Sequence, residues 1–239
     1  MKTQAEQCKD EGNKCMKEGN YTAAVIHYTE AVKHEPNSAI LFSNRALAFL
    51  KIDQLYLAME DAQKAIKLEP SWPKGFFRKG EIEFRAGQYD KALMSYRQAL
   101  LLDPSDEGLL AAVSKTNKEI VKDRKDATQK PLMYSCIGLM VGVAIVAADQ
   151  LMTTKPAIQY SLLQLLLVAG CGGVGYAIAK IKRFFILSHR KAMLEEPLDL
   201  LKEINNDSSG PASKNGPASP QPQANTKRKP GSERTRKGK

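Results

Sequence analysis

Residues 73–106 read PKGFFRKGEIEFRAGQYDKALMSYRQALLLDPSD, and laying the chain on itself at an offset of 34 returns the same pattern over 39–72 and 5–38. Small residues recur at Gly12, Ala46 and Gly80, at Ala24, Ala58 and Ala92, and at Ala31, Ala65 and Ala99. Proline recurs at Pro36, Pro70 and Pro104. Large residues fill other columns, Phe42 with Phe76 and Tyr21 with Tyr89. One period running through four columns predicts one structural unit used three times. Small residues at fixed positions let two helices approach closely. A proline after the second helix stops it, because its ring cannot continue the hydrogen-bond ladder. Each helix pair covers its apolar face only by stacking on its neighbours, so the expected fold is all-α, a curved superhelix with a concave groove.

This pattern resembles the tetratricopeptide repeat family, which implies a right-handed α-solenoid over residues 1–126 with repeats at 5–38, 39–72 and 73–106. The match departs from the family at some aromatic positions: Ala62 stands where the other units have Tyr28 and Tyr96. Residues 105–125, SDEGLLAAVSKTNKEIVKDRK, read as a further amphipathic helix that caps the stack with a polar outer face.

Five polar residues fall on the first helices of the units. Lys9 and Asn13 are four apart and share a helical face, as do Lys74 and Arg78, while Asn44 and Arg78 occupy equivalent positions of successive repeats. In this architecture the first helices line the groove. Two Lys and one Arg are donors for carboxylates, and charge-assisted bonds are the strong ones. The two Asn amides suit a peptide backbone or a shared carboxylate. An acidic residue at a chain's C-terminus presents two carboxylates close together, which this set could satisfy.

The segments KDEGNK, LFSNRAL and WPKGFFRKG look like the three signature stretches of the dicarboxylate-clamp subclass found in Sti/Hop-like co-chaperones. The resemblance covers residues 5–120. It implies that Lys9, Asn13, Asn44, Lys74 and Arg78 grip the C-terminal Glu-Glu-Val-Asp of the 70- and/or 90-kilodalton cytosolic heat-shock chaperones.

The stretch GCGGVG, Gly170–Gly175, matches the dinucleotide-binding fingerprint letter for letter. That fingerprint requires a preceding strand and a βαβ unit, and the surrounding pattern is helical. The stretch sits inside 157–179, 23 residues without a charge, and a second uncharged run of 17 covers 132–148. A spanning helix needs about 20, so the expectation is a transmembrane hairpin over 132–179, with spans at 132–152 and 157–179. Gly138 with Gly142, and Ala169 with Gly173, supply the small-xxx-small spacing that lets membrane helices pack. A juxtamembrane helix at 180–204 and a disordered basic tail at 205–239 complete the expected architecture.

The net charge of +10 is localised. Residues 1–104 carry 15 Lys/Arg against 14 Asp/Glu, whereas six basic residues lie between Lys115 and Lys130, five between Lys180 and Lys191 and eight between Lys214 and Lys239. Basic runs flanking apolar ones indicate a lipid bilayer as partner, not nucleic acid. They place both termini in the cytosol by the positive-inside rule, since the turn holds only Lys155. The membrane is read as that of the endoplasmic reticulum or the mitochondrial outer membrane. The start of the chain has no apolar signal-peptide region. Cys8, Cys15, Cys136 and Cys171 show no CxxC or zinc spacing, and His27, His34 and His189 are scattered. No catalytic residue, metal, cofactor or small-molecule substrate is expected. The function expected is a non-enzymatic, membrane-anchored co-chaperone. The alternative is a membrane-anchored adaptor whose groove takes an unrelated peptide.

Overall fold

Three helix pairs follow one another at a constant interval: α1 Gln4–Lys17 and α2 Tyr21–His34, α3 Ala39–Lys51 and α4 Leu55–Leu68, α5 Pro73–Arg85 and α6 Tyr89–Leu102. Two long helices follow, α7 Glu107–Met152 and α8 Ser161–Ala192. The computed structural model describes residues 2–152 and 160–196, with no strand among them. The glycine fingerprint of Gly170–Gly175 therefore lies within a helix, α8, with no strand-turn-helix unit around it among the described residues. The expected turn at 153–156, the tail at 205–239 and the end of the 180–204 helix lie outside the described residues.

The repeat columns explain the chain's turns. The residue before each proline leaves the α region in the same way: Glu35, Glu69 and Asp103 have φ of −129°, −134° and −138° with ψ of 77°, 83° and 89°. Clash with the proline ring disfavours the helical conformation there. The turn inside each pair passes through a left-handed residue at a matching position: Gly19 at φ 79°, Asp53 at φ 57° and Gly87 at φ 72°. Asp53 carries this conformation without glycine and forms a two-pronged bond to Arg85, at 2.9 and 3.0 Å.

Ala24, Ala31, Ala58, Ala65, Ala92 and Ala99 are all completely buried, so the small columns are the helix-helix contacts. The glycine column is coupled to the aromatic one. A β-carbon at Gly12 would lie 2.6 Å from the Tyr28 ring, and one at Gly80 would lie 2.6 Å from the Tyr96 ring. In the middle repeat Ala46 has that β-carbon, and Ala62 stands in place of the tyrosine; both are fully buried in one cluster with Leu55, Met59 and Ile82. The departure at Ala62 is thus the counterpart of Ala46.

A capping helix ending near residue 125 is corrected by the structure. Its start is capped by Asp106, whose Oδ1 accepts the amide hydrogens of Gly108 and Leu109 at 2.7 and 3.2 Å. The helix then runs unbroken through Pro131 to Met152, 46 residues and about 69 Å. The polar side chains before Pro131 are satisfied along the helix itself: Lys130 pairs with Asp126 one turn earlier, and Thr128 Oγ1 donates to the Lys125 carbonyl. Likewise α8 does not break at residue 180; it continues to Ala192.

Both helices are long and apolar enough to cross a membrane, and only about 11% of each apolar window is buried. They pack on each other through small residues, but not all of those expected. Gly138 and Gly142 face α8, where a β-carbon would collide with Cys171 and Val168. On α8 the facing residues are Gly172 and Gly175, against Leu139 and Tyr134. Ala169 and Gly173 point outward, so that part of the expected packing face is displaced around the helix.

The far end of α8 returns to the repeats. Arg183 and Arg190 both reach the Asp123 carboxylate on α7, at 3.4 and 3.1 Å. The Arg190 carbonyl accepts a hydrogen bond from Gln88 Nε2 at 2.9 Å, and its guanidinium lies over the Tyr89 ring. Leu194 packs against the Ala46–Ile82 cluster.

Candidate functional site

The groove face of each first helix can be read down the repeat. Its columns are Glu6, Ile40 and Lys74; Lys9, Ser43 and Phe77; Asp10, Asn44 and Arg78; and Asn13, Leu47 and Glu81. All five expected groove residues fall in these four columns, whose spacing of three and four residues is one helical stripe. They sit on regular helix because each first helix is short, ends at a left-handed turn and is pinned by the buried alanines described above.

Three of the five come together. Asn44, Lys74 and Arg78 line one cavity of about 540 Å³ between α3, α5 and the start of α7. Ile40, Trp72, Phe77 and Leu109 make its apolar wall, and Asp106 adds a carboxylate at the edge. Lys74 is exposed at the rim. The Arg78 side chain is only 14% exposed. Its Nη1 bonds Glu81, one turn further on the same helix, while its Nε is buried without a hydrogen-bond partner among the described residues.

Lys9 and Asn13, on α1, do not line that cavity. Asn13 is held by Tyr28, whose hydroxyl donates to Asn13 Oδ1 at 2.8 Å. This bond turns the amide hydrogens of Asn13 away from Tyr28. Burial pushes the Tyr28 phenol up to about 12, with Cys15 adding to the rise and the Arg78 charge opposing it.

Tyr28, Glu81 and the apolar wall were not legible as site residues. Tyr28 reads as packing, since it shares a column with Tyr96. Glu81 is marked only by standing in the Asn13 column, a signal that exists once the groove columns are aligned. The scattered histidine His27 has a structural use: its Nδ1 lies 3.1 Å from Glu11. The equivalent pair in the middle repeat is Arg45 with Asp61, joined twice at 2.7 and 2.8 Å.

Residues 73–106 match the tetratricopeptide repeat family. Among curated proteins, the chain is 40% identical over 131 residues to Hsp70-Hsp90 organizing protein 3 of Arabidopsis thaliana, covering 54% of this chain and 24% of that protein. It is 39% identical over 129 residues to small glutamine-rich tetratricopeptide repeat-containing protein 2 of Mycosarcoma maydis, covering 52% of this chain and 37% of that protein. The chain therefore spans between about a quarter and two fifths of the length of these relatives. Among solved structures, the second such domain of human RPAP3, in complex with an HSP70 peptide, is 35% identical, with a TM-score of 0.45 over 48% of this chain and 95% of that one. With the family match falling on the third of three equivalent helix pairs, the first half of the chain is built of tetratricopeptide repeats and is similar to part of the Hsp70-Hsp90 organizing proteins.

Proposed function

We propose that this chain is a non-enzymatic adaptor that holds heat-shock chaperones at a membrane by gripping their acidic C-terminal peptide in the repeat groove. The observation that carries the reading is the cavity uniting Asn44, Lys74 and Arg78, with a buried, unpartnered N–H on the Arg78 guanidinium. A buried donor without a partner is costly, and an arriving acceptor recovers that free energy. A carboxylate fits best, because the planar guanidinium offers paired donors to two oxygens at once.

Each residue then has a task. Arg78 takes one carboxylate of the terminal residue, and Lys74 supplies a mobile point charge at the rim for the other. Asn44 bonds the peptide backbone between them. Lys9 and Asn13 extend the grip onto α1, with the Asn13 amide hydrogens aimed by Tyr28. Ile40, Trp72, Phe77 and Leu109 shelter an apolar side chain next to the acids. The 70- and/or 90-kilodalton heat-shock chaperones are the partners proposed, and relatives named as Hsp70-Hsp90 organizing proteins support the choice.

The membrane part rests on α7 and α8. Their apolar windows stay exposed, whereas core helices of a soluble protein would be covered. Basic residues flank both outer ends, which favours a hairpin with the repeats and the C-terminal end on the cytosolic side of the endoplasmic reticulum or the mitochondrial outer membrane.

The test is calorimetry of the full chain in detergent micelles with a peptide ending Glu-Glu-Val-Asp. Lys74→Ala should weaken binding at least tenfold, since a charge-assisted bond contributes ~1.5–3 kcal/mol. Amidation of the peptide's C-terminus should do similar damage. Unchanged binding in both arms would favour the other reading, an adaptor for an unrelated peptide. Resistance of the full chain to alkaline carbonate extraction tests the anchor, and its release into the supernatant would rule the hairpin out.

A further inference from the structure

Glu81 stands in the same repeat column as Asn13, so it occupies the groove stripe and not the outer surface. Its carboxylate pairs with Arg78 Nη1, and its side chain is 30% exposed. The largely buried Arg78 guanidinium is thus engaged along one edge by a carboxylate of the protein's own. The other edge keeps its buried, unpartnered Nε.

We infer that Glu81 is a built-in competitor for the ligand's carboxylate, setting how tightly and how selectively the groove holds an acidic peptide. This rests on the clamp reading above. Two effects of Glu81 oppose each other. It orders the Arg78 side chain, which favours binding, and it repels the incoming anion, which disfavours it. Repulsion falls only as the inverse of distance. A ligand carboxylate about twice as far from Glu81 as from Arg78 still loses roughly half of what Arg78 provides. The ordering role is largely redundant, because Arg78 is well covered and its guanidinium already lies 5.9 Å from the centre of the Phe77 ring. Repulsion therefore wins. A singly charged or weakly placed anion cannot outcompete Glu81, whereas a peptide end with two carboxylates and a second cation, Lys74, can.

The experiment titrates full-length wild type, Glu81→Gln and Glu81→Ala in micelles with a Glu-Glu-Val-Asp peptide, at low and high salt. Glu81→Gln keeps a hydrogen-bond acceptor for Arg78 and removes only the charge. It should bind about fivefold tighter than wild type at low salt, with the gap narrowing as salt rises. Glu81→Ala should also bind tighter. Unchanged or weaker binding by both variants would overturn the inference and make Glu81 a residue that positions Arg78. Lys74→Ala in the same series separates the two levels. If it weakens binding while the Glu81 variants gain nothing, the clamp stands and the competitor falls. If neither wild type nor Glu81→Gln binds, both fall.

Discussion

Tyr28 does two jobs with one side chain. Its ring fills the space opposite Gly12, and its hydroxyl fixes Asn13. Tyr28→Phe keeps the first and removes the second, leaving the Asn13 amide free to turn. We expect a stability loss of about 1 kcal/mol and a severalfold loss in peptide affinity, read by chemical denaturation and calorimetry; an unchanged affinity would mean that Asn13 takes no part in the grip. Glu83 shows a different residue-scale effect. Its side chain is 5% exposed, and Ser95 Oγ donates to it at 2.6 Å. Burial raises its carboxyl above the usual range, against the Ser95 bond and the charges of Lys79 and Lys91, which lower it. A folded-state value above the unfolded one means that the ionised form is penalised in the fold. The penalty is fully present above the raised value and is lost as the pH falls from there to the ordinary carboxylate value. Glu83→Gln keeps an acceptor for Ser95 and should equal or exceed wild type in stability at pH 7. That gap should close in acid, as thermal melts between pH 7 and pH 4 would show.

At the scale of helices, the pairing of small and aromatic residues accounts for how two helices of a repeat meet. The combinations observed are Gly12 with Tyr28, Ala46 with Ala62, and Gly80 with Tyr96. A methyl group at Gly80 would overlap the Tyr96 ring, and overpacking of this kind costs about 1–3 kcal/mol. Gly80→Ala should therefore destabilise by that amount in the wild-type background and by clearly less once Tyr96→Ala has emptied the space. A double-mutant cycle by denaturant unfolding measures the coupling. Additive losses would mean that the two columns vary independently. The long helices follow another rule. Their meeting face is set by which glycines lie inward, Gly138 and Gly142 against Gly172 and Gly175, and spacing alone does not say which of several glycines on α8 those are.

Across the whole molecule, the end of α8 is fastened to α7 and to the turns of the repeats. Asp123 is the shared anion for Arg183 and Arg190, Gln88 and Tyr89 hold Arg190, and the cluster containing Leu55 and Met59 receives Leu194 beyond it. Asp123→Ala leaves two partly buried guanidinium groups without that counter-ion. It should release the end of α8 and leave the groove untouched. Trypsin cleavage after Arg190 and Lys191 should become severalfold faster, while affinity for the acidic peptide stays at the wild-type value. If peptide affinity fell together with trypsin resistance, the fastening would have to reach the groove itself.

Repeat length, the three helix pairs and the stop before each proline were legible in the residues alone, because they follow from local rules: proline geometry, small residues at contact positions and a period that returns every 34 residues. The helical stripe that carries Lys9, Asn13, Asn44, Lys74 and Arg78 follows from the same local spacing, but only Asn44, Lys74 and Arg78 meet in one cavity. The partners of those residues came from tertiary structure. Tyr28 reaches Asn13 from the second helix of its pair, and neither their separation of 15 residues nor their chemistry announces it. The cavity around Asn44, Lys74 and Arg78 needs walls from three helices. The continuous α7 was hidden because the polar stretch between residue 125 and the apolar run at 132 carries no apolar periodicity, whereas packing against α8 and pairing along the helix carry it through. The return of α8 onto the repeats joins Gln88 to Arg190, 102 residues apart. Contacts at that distance depend on where whole helices lie, and no local pattern encodes that.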